Sequence, residues 1–178
     1  MSGTVLLAVD IQTLITNDKL SFFDTFRENV TSLISEARRN GIEVVHVRHD
    51  DGEGALLTKE NEGFMIHDDF APAEGEMVFD KNVNSPFRSS GLLEYLRQKE
   101  TGRIIVVGLQ TEYCIDATVK CGFEHGFEMI VPEYCNTTVD NRYMTGTQTY
   151  HYYNDFIWKD RYARCVSLSE AFRLMRSI

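Results

Sequence analysis

The chain has 178 residues, 43% of them hydrophobic and 25% charged, the make-up of a water-soluble globular unit built on one core. Eighteen Lys and Arg stand against 27 Asp and Glu, a formal balance of −9 without basic clusters, so neither nucleic acid nor an anionic membrane is an expected partner. No stretch approaches the roughly 20 apolar residues of a membrane span.

The N-terminus carries no basic segment, and Val5 to Val9 is too short for a signal-peptide core. The cysteines, Cys114, Cys121, Cys135 and Cys165, form no C-x-x-C pair. That pattern fits reduced thiols in a cytoplasmic protein better than a disulfide frame or a zinc site.

Strand-length apolar runs alternate with helix-patterned stretches. Thr4–Asp10 is a continuous apolar run ending in a carboxylate. Phe22–Asn40 carries Phe22, Phe23, Phe26, Val30, Leu33, Ile34 and Ala37 at helical period, stopped by Gly41 just after Arg38 and Arg39. Ile42–Arg48 predicts the second strand, and a long polar connection runs from His49 to about Glu76. Met77–Asp80 predicts a third strand, Ser90–Lys99 a helix, Arg103–Leu109 a fourth strand, Cys114–His125 a helix and Phe127–Val131 a fifth strand. A polar segment follows, with a helix around Tyr143–Asp155, a sixth strand at Ala163–Ser167 and a last helix at Ser169–Met175.

Strands buried on both faces and alternating with helices make a parallel sheet with right-handed crossovers. The expected architecture is a single α/β domain over residues 1–178, three-layered and doubly wound, with a mainly parallel six-stranded sheet and helices on both faces. Ligands of such sheets bind beyond the carboxyl ends of the strands. Three residues belong to that rim: Asp10 after strand one, Lys81 after strand three and Cys114 after strand four.

Cys114 is the most informative of them. A thiol where a buried strand hands over to a helix N-terminus meets unpaired backbone N–H groups and the positive end of the helix dipole, which favour thiolate and bind a developing oxyanion. Asp10 suits a base that takes the thiol proton, and an ammonium at Lys81 would stabilise both anions. Each has a plainer reading beside this one. A carboxylate at a strand end caps helices, a lysine points to solvent, and free cysteines are commonly buried.

At these residues the sequence resembles the isochorismatase-like cysteine hydrolases, the group that includes nicotinamidases and N-carbamoylsarcosine amidohydrolases. Val9-Asp10-Ile11-Gln12 is similar to the family's D-x-Q motif, and Lys81 through Phe87 to its K-x-x-x-S-x-F segment. Val107 through Ile115, with Thr118, is similar to G-x-x-T-x-x-C-[VI]-x-x-T. The resemblance implies Cys114 as nucleophile, Asp10 as general base and Lys81 as third triad member. It also implies an oxyanion hole of the Gln110 and Cys114 backbone N–H groups, a non-proline cis peptide at Leu109–Gln110, and homo-oligomers, dimer or tetramer. The activity implied is hydrolysis of a non-peptide C–N bond in a small amide or carbamoyl compound through a thioester-type intermediate.

Two departures from the family's better-known branches bear on substrate. Nicotinamidases bind a divalent metal through Asp-x-His after strand two, whereas this chain reads Arg48-His49-Asp50-Asp51-Gly52. No metal or other cofactor is expected, and nicotinamide is disfavoured; the alternative is an ion near His49, Asp50, Asp51 and His67. Isochorismatases that cleave a vinyl ether can lack the cysteine, so retaining Cys114 points to acyl chemistry. Gln12, Phe64, Phe87 and Tyr113 are candidate pocket residues, and the aromatic run Tyr150-His151-Tyr152-Tyr153 with Trp158 is a candidate subunit contact. The rival readings are a flavodoxin-like thiol redox module, which lacks a resolving cysteine at C-x-x-C spacing, an isochorismatase-type ether hydrolase, and a nucleotide-binding domain, which lacks any Gly-rich phosphate loop.

Overall fold

The computed structural model describes residues 3–177. The strands are β1 (Gly3–Val9), β2 (Glu43–His49), β3 (Met77–Lys81), β4 (Thr101–Leu109), β5 (Glu128–Pro132), β6 (Asn136–Thr137) and β7 (Arg164–Val166). Six of them lie in the order β3-β2-β1-β4-β5-β7, and β6 pairs with the last two residues of β4. Every pairing between these strands is parallel. The six strands expected from the sequence thus become seven. The extra one is two residues long, too short to leave a periodic signal.

Alternation along β1 shows why the sheet needs helices on both faces. Leu6 and Ala8 pack with Phe26, Val30 and Leu33 of α1 (Phe23–Arg39) and with Ala171 and Met175 of α5 (Leu168–Arg176). Val5, Leu7 and Val9 point the other way, into a cluster with Leu92 and Leu96 of α2 (Leu92–Gln98), Val119 of α3 (Asp116–Glu124) and Trp158. Side chains on successive strand residues face opposite sides, so a fully apolar run is stable only between two covered faces.

The late helix divides in two. Thr145 and Gln148 form a reciprocal capping box that starts α4 (Gly146–His151), which continues as a π-helical stretch, Tyr152–Trp158. The helix expected from Cys114 also begins differently. Thr111–Ile115 is a π-helical turn, and α3 starts only at Asp116.

The connection after β2 is pinned down despite its irregular sequence. It contains two short 3-10 turns, Glu62–Phe64 and Asp68–Phe70, and folds back over the segment following β1. The Thr13 and Leu14 N–H groups donate to Met65 and Gly63 carbonyls, and His67 N–H donates to Ile11. Its far end is held by Glu76, whose carboxylate accepts from Arg38, His46 and the Ala73 N–H.

β1 lies between β2 and β4, so chain leaving β1 and chain leaving β4 diverge at their carboxyl ends and open a crevice there. Gly108 lets the two strands approach at that point. Its φ is +132°, and a Cβ would overlap the Val9 carbonyl oxygen, with Val9 C and N at 2.9 Å.

Candidate active site

Asp10, Lys81 and Cys114 meet in this crevice. Asp10 is the first residue past β1 and adopts φ 54°, which turns its carboxylate across the strand end. Lys81 closes the edge strand β3 and sends its side chain inward under the ends of its neighbours. Lys81 Nζ donates to Asp10 Oδ2 at 2.7 Å and to Cys114 Sγ at 3.2 Å. The three residues are 1%, 3% and 8% exposed. Asp10 Oδ1 has no hydrogen-bond partner among the described residues. The mouth of the site is formed in part by the exposed Asn84, whose Oδ1 lies 3.8 Å from Cys114 Sγ.

Burial shifts the acidities of both Asp10 and Cys114. It pushes the Asp10 carboxyl above its ordinary value, against the opposing pull of the neighbouring Lys81 ammonium. Burial likewise pushes the Cys114 thiol up to about 12, helped by the Asp10 charge and opposed by Lys81. This corrects the expectation of a thiolate favoured by a helix N-terminus. Cys114 lies inside the π-helical turn ahead of α3, and desolvation outweighs its positive neighbour. The shift favours the thiol over the thiolate near neutral pH.

The turn that carries the sulfur is fixed from several sides. Leu109–Gln110 is a cis peptide. The Gln110 carbonyl accepts from the Tyr113 and Ile115 N–H groups, while the Gln110 N–H has no protein partner among the described residues. Thr118 Oγ1 donates to the Cys114 carbonyl at 2.6 Å. Thr111 Oγ1 donates to Asn136 Oδ1 at 2.8 Å, and Asn136 exchanges two hydrogen bonds with Asn154 at 2.9 and 3.1 Å. This buried chain ties the Cys114 turn to β6 and to the stretch after α4. Asn136 and Asn154 carried no sequence signal, because their partners lie in segments without periodic pattern.

The other expected site residues fall in different places. Gln12 is fully buried, and both its amide hydrogens are spent on the His49 and Phe64 carbonyls while its oxygen accepts from the His49 N–H. It braces the loop and has no donor left for a ligand. Phe64 is buried with the Arg48 guanidinium 4.4 Å from its ring centre, and pins the same loop. Phe87 packs between His125 and Phe127, in the cluster that also contains Cys114. Tyr113, the residue before Cys114, is 52% exposed. Of the aromatic run, Tyr150 is core, stacked on Tyr134 and accepting from its N–H. Trp158 is core as well, donating to Asp116. Tyr152 and Phe156 are exposed.

The ligand-type side chains that converge, among the described residues, are Asp10, His49 and Cys114, within 4.8 Å of one another, rather than His49, Asp51 and His67. The Lys81 ammonium is within 2.7 to 3.2 Å of all three and fills the place a cation would take. His67 Nδ1 is occupied in accepting from the Asp69 N–H. A recess of about 220 Å³ borders Lys81 on the loop side and is lined also by Asp50, Lys59, Asp80, Asn82 and Ser89, without reaching Asp10 or Cys114.

Residues 4–153 match the family model described as an isochorismatase domain. Among curated proteins, the isochorismatase family protein YddQ of Bacillus subtilis is 33% identical over 141 residues, covering 76% of this chain and 78% of that protein. A streptothricin hydrolase of Streptomyces noursei is 28% identical over 137 residues, 76% of this chain and 50% of that protein. Among solved structures, a cysteine hydrolase from Pseudomonas syringae pv. phaseolicola superposes with a TM-score of 0.91 at 18% identity, over 98% of this chain and 92% of that one.

Proposed function

The chain belongs to the isochorismatase family and is a hydrolase of that family; from that premise we propose that it cleaves a non-peptide C–N bond of a small amide or carbamoyl compound by covalent catalysis at Cys114. The observation that carries this reading is the Lys81 ammonium hydrogen-bonded at once to the Asp10 carboxylate and the Cys114 sulfur. Asp10 takes the thiol proton as sulfur attacks the carbonyl carbon, and the electron pair of the C=O bond moves to oxygen. The Gln110 and Cys114 N–H groups receive that oxyanion. Collapse expels the nitrogen, which leaves as amine or ammonia with the proton held by Asp10. Water then attacks the thioester, Asp10 takes its proton, and sulfur departs and is reprotonated.

The raised Asp10 value supports this assignment, because a carboxyl held above its ordinary value is a stronger base. An acceptor at Asn84 Oδ1 beside the sulfur suits an N–H-bearing leaving group better than an ether. No metal or other cofactor enters the proposal. The exposed Tyr113, Tyr143, Tyr152 and Phe156 support assembly into a homo-oligomer, and the four unpaired cysteines support a reducing, cytoplasmic setting. No helix among the described residues is long and apolar enough to cross a membrane.

The test is incubation with a panel of small amides and ureido compounds, with mass measurement of the intact protein. A mass increment localised to Cys114 is expected, and Asp10→Asn should lower its rate of formation by about 10²–10⁴-fold while the protein stays folded. Turnover that survives Cys114→Ala would end the proposal.

A further inference from the structure

The geometry points to His49 as a positioning residue of the site, acting through Lys81; this rests on the triad reading above and extends it. An ammonium has three hydrogens, and Lys81 Nζ has three acceptors: Asp10 Oδ2 at 2.7 Å, His49 Nδ1 at 2.9 Å and Cys114 Sγ at 3.2 Å. Lys81 is buried, so no water competes for these positions. For Nδ1 to accept, the imidazole must be neutral with its hydrogen on Nε2. Nε2 faces Asp51 Oδ1 at 3.0 Å, an acceptor that holds the hydrogen there. The main chain fixes the ring's origin, since Gln12 brackets the His49 N–H and carbonyl with its own amide.

Asp51, His49 and Lys81 thus form an ordered relay whose last N–H bond is aimed at the sulfur. The consequence lies in the third leg. Without an acceptor at the Nδ1 position, one N–H of a buried ammonium is unsatisfied, and the amine can turn to share its hydrogens between Asp10 and the backbone. Lys81 then no longer directs one hydrogen at Cys114, and the anion that forms there as the proton leaves loses its stabiliser. Histidine serves here as a neutral acceptor whose polarity is set from outside by Asp51. It touches no reacting atom.

The test needs no substrate and reads the sulfur directly, as the rate at which iodoacetamide alkylates Cys114 in mildly alkaline buffer, followed by peptide mass mapping. In that reaction the thiolate displaces iodide. His49→Ala should slow alkylation of Cys114 by about tenfold or more, the worth of one net hydrogen bond to a charged group. His49→Asn places a carboxamide oxygen near the Nδ1 position and should stay within about twofold of wild type. Added imidazole, an acceptor that fits the space left by the ring, should restore much of the His49→Ala rate. Asp51→Asn should give an intermediate loss, because Asp51 is exposed and water can replace it.

Melting temperatures separate a loosened fold from a misdirected amine. A merely structural role would lower stability without rescue by Asn or imidazole. The inference is overturned if His49→Ala alkylates at the wild-type rate, or if His49→Asn is as slow as His49→Ala. Failure of the hydrolase reading looks different: no acyl adduct forms on Cys114 in any variant, while the alkylation pattern persists.

Discussion

Replacing Lys81 by Met tests the electrostatic argument at its centre. Methionine fills much of the space of the lysine stem without its charge. The Asp10–Lys81 pair has side chains 2% and 0% exposed, and Lys81 is the partner of Asp10 Oδ2, while Asp10 Oδ1 already has none. Removing one member of a buried pair strands the other, at a cost of about 3–5 kcal/mol at neutral pH. The cost carries a pH signature. Asp10 is raised even beside Lys81, and without it the folded-state value rises further. An acid whose folded value exceeds its unfolded value of about 4 binds more protons folded than unfolded in the window between them. Stability therefore falls as pH rises, by up to about 1.4 kcal/mol per unit. Lys81→Met should lose most at neutral pH and recover stability relative to wild type as pH falls toward the unfolded value of about 4. The double variant Asp10→Asn with Lys81→Met should lack that recovery and be more stable than Lys81→Met alone at neutral pH. Urea denaturation of wild type, both single variants and the double variant across this range completes the cycle. Parallel pH slopes for Lys81→Met and the double variant would refute a buried, charged Asp10.

Other consequences are independent of that pair. Gly108→Ala combines a φ of +132° with overlap on the Val9 carbonyl, and should cost about 3–5 kcal/mol and displace Asp10 next along the chain. Gly126→Ala, at φ +88° with nothing within 4 Å of the new methyl, should cost only about 1 kcal/mol, so equal melting temperatures for the two would be a contradiction. For Glu76, burial alone would raise the carboxyl, but hydrogen bonds from Arg38, the Ala73 N–H and His46 outweigh it and hold it at about 2. A lowered acid contributes stability above its unfolded value and loses it as pH falls toward the folded one. Glu76→Gln should therefore cost about 2 kcal/mol at neutral pH and flatten acid unfolding between about pH 5 and about pH 2, as read by far-UV circular dichroism. Asn154→Ala leaves Asn136 short of its partner and should cost about 1–3 kcal/mol, with slower adduct formation at Cys114 because the Thr111 end of the turn is loosened.

The residues legible in the sequence are those whose position follows from strand ends. Asp10 and Lys81 each close or just follow an apolar run that can only be a buried strand, and Cys114 follows another, so parallel topology alone brings them to one rim. The family resemblance then gave them roles. What periodicity did not reveal has physical causes. β6 contributes two residues, below the length at which alternation exists. The five-residue π turn and the onset of an α-helix share one pattern of apolar positions, so Cys114 read as helical when α3 begins at Asp116. Gln12 and Phe64 were expected at the ligand and are spent on bracing the loop, because the fold-back of residues 62–67 over residues 11–14 is a long-range pairing with no local signature. His49 read as a possible ion ligand, and only the inward course of Lys81 from the edge strand shows what its Nδ1 meets.

In the proposed reaction, dryness around the triad shifts two groups the same way, so a sulfur poorly disposed to ionise would meet a correspondingly stronger base. Desolvation raises both Asp10 and Cys114, so it weakens the thiol as an acid while strengthening the carboxylate as its base. The barrier to proton transfer depends on the difference between the two, and shared burial largely cancels in that difference. Lys81 touches both groups, so its charge stabilises the anion on oxygen before the transfer and on sulfur after it. In the proposed transfer, negative charge would move between two neighbours of one fixed ammonium, and the protein around it would not need to reorganise. The same site placed in water would have a more acidic thiol but a far weaker base, and nothing would hold the ammonium against both.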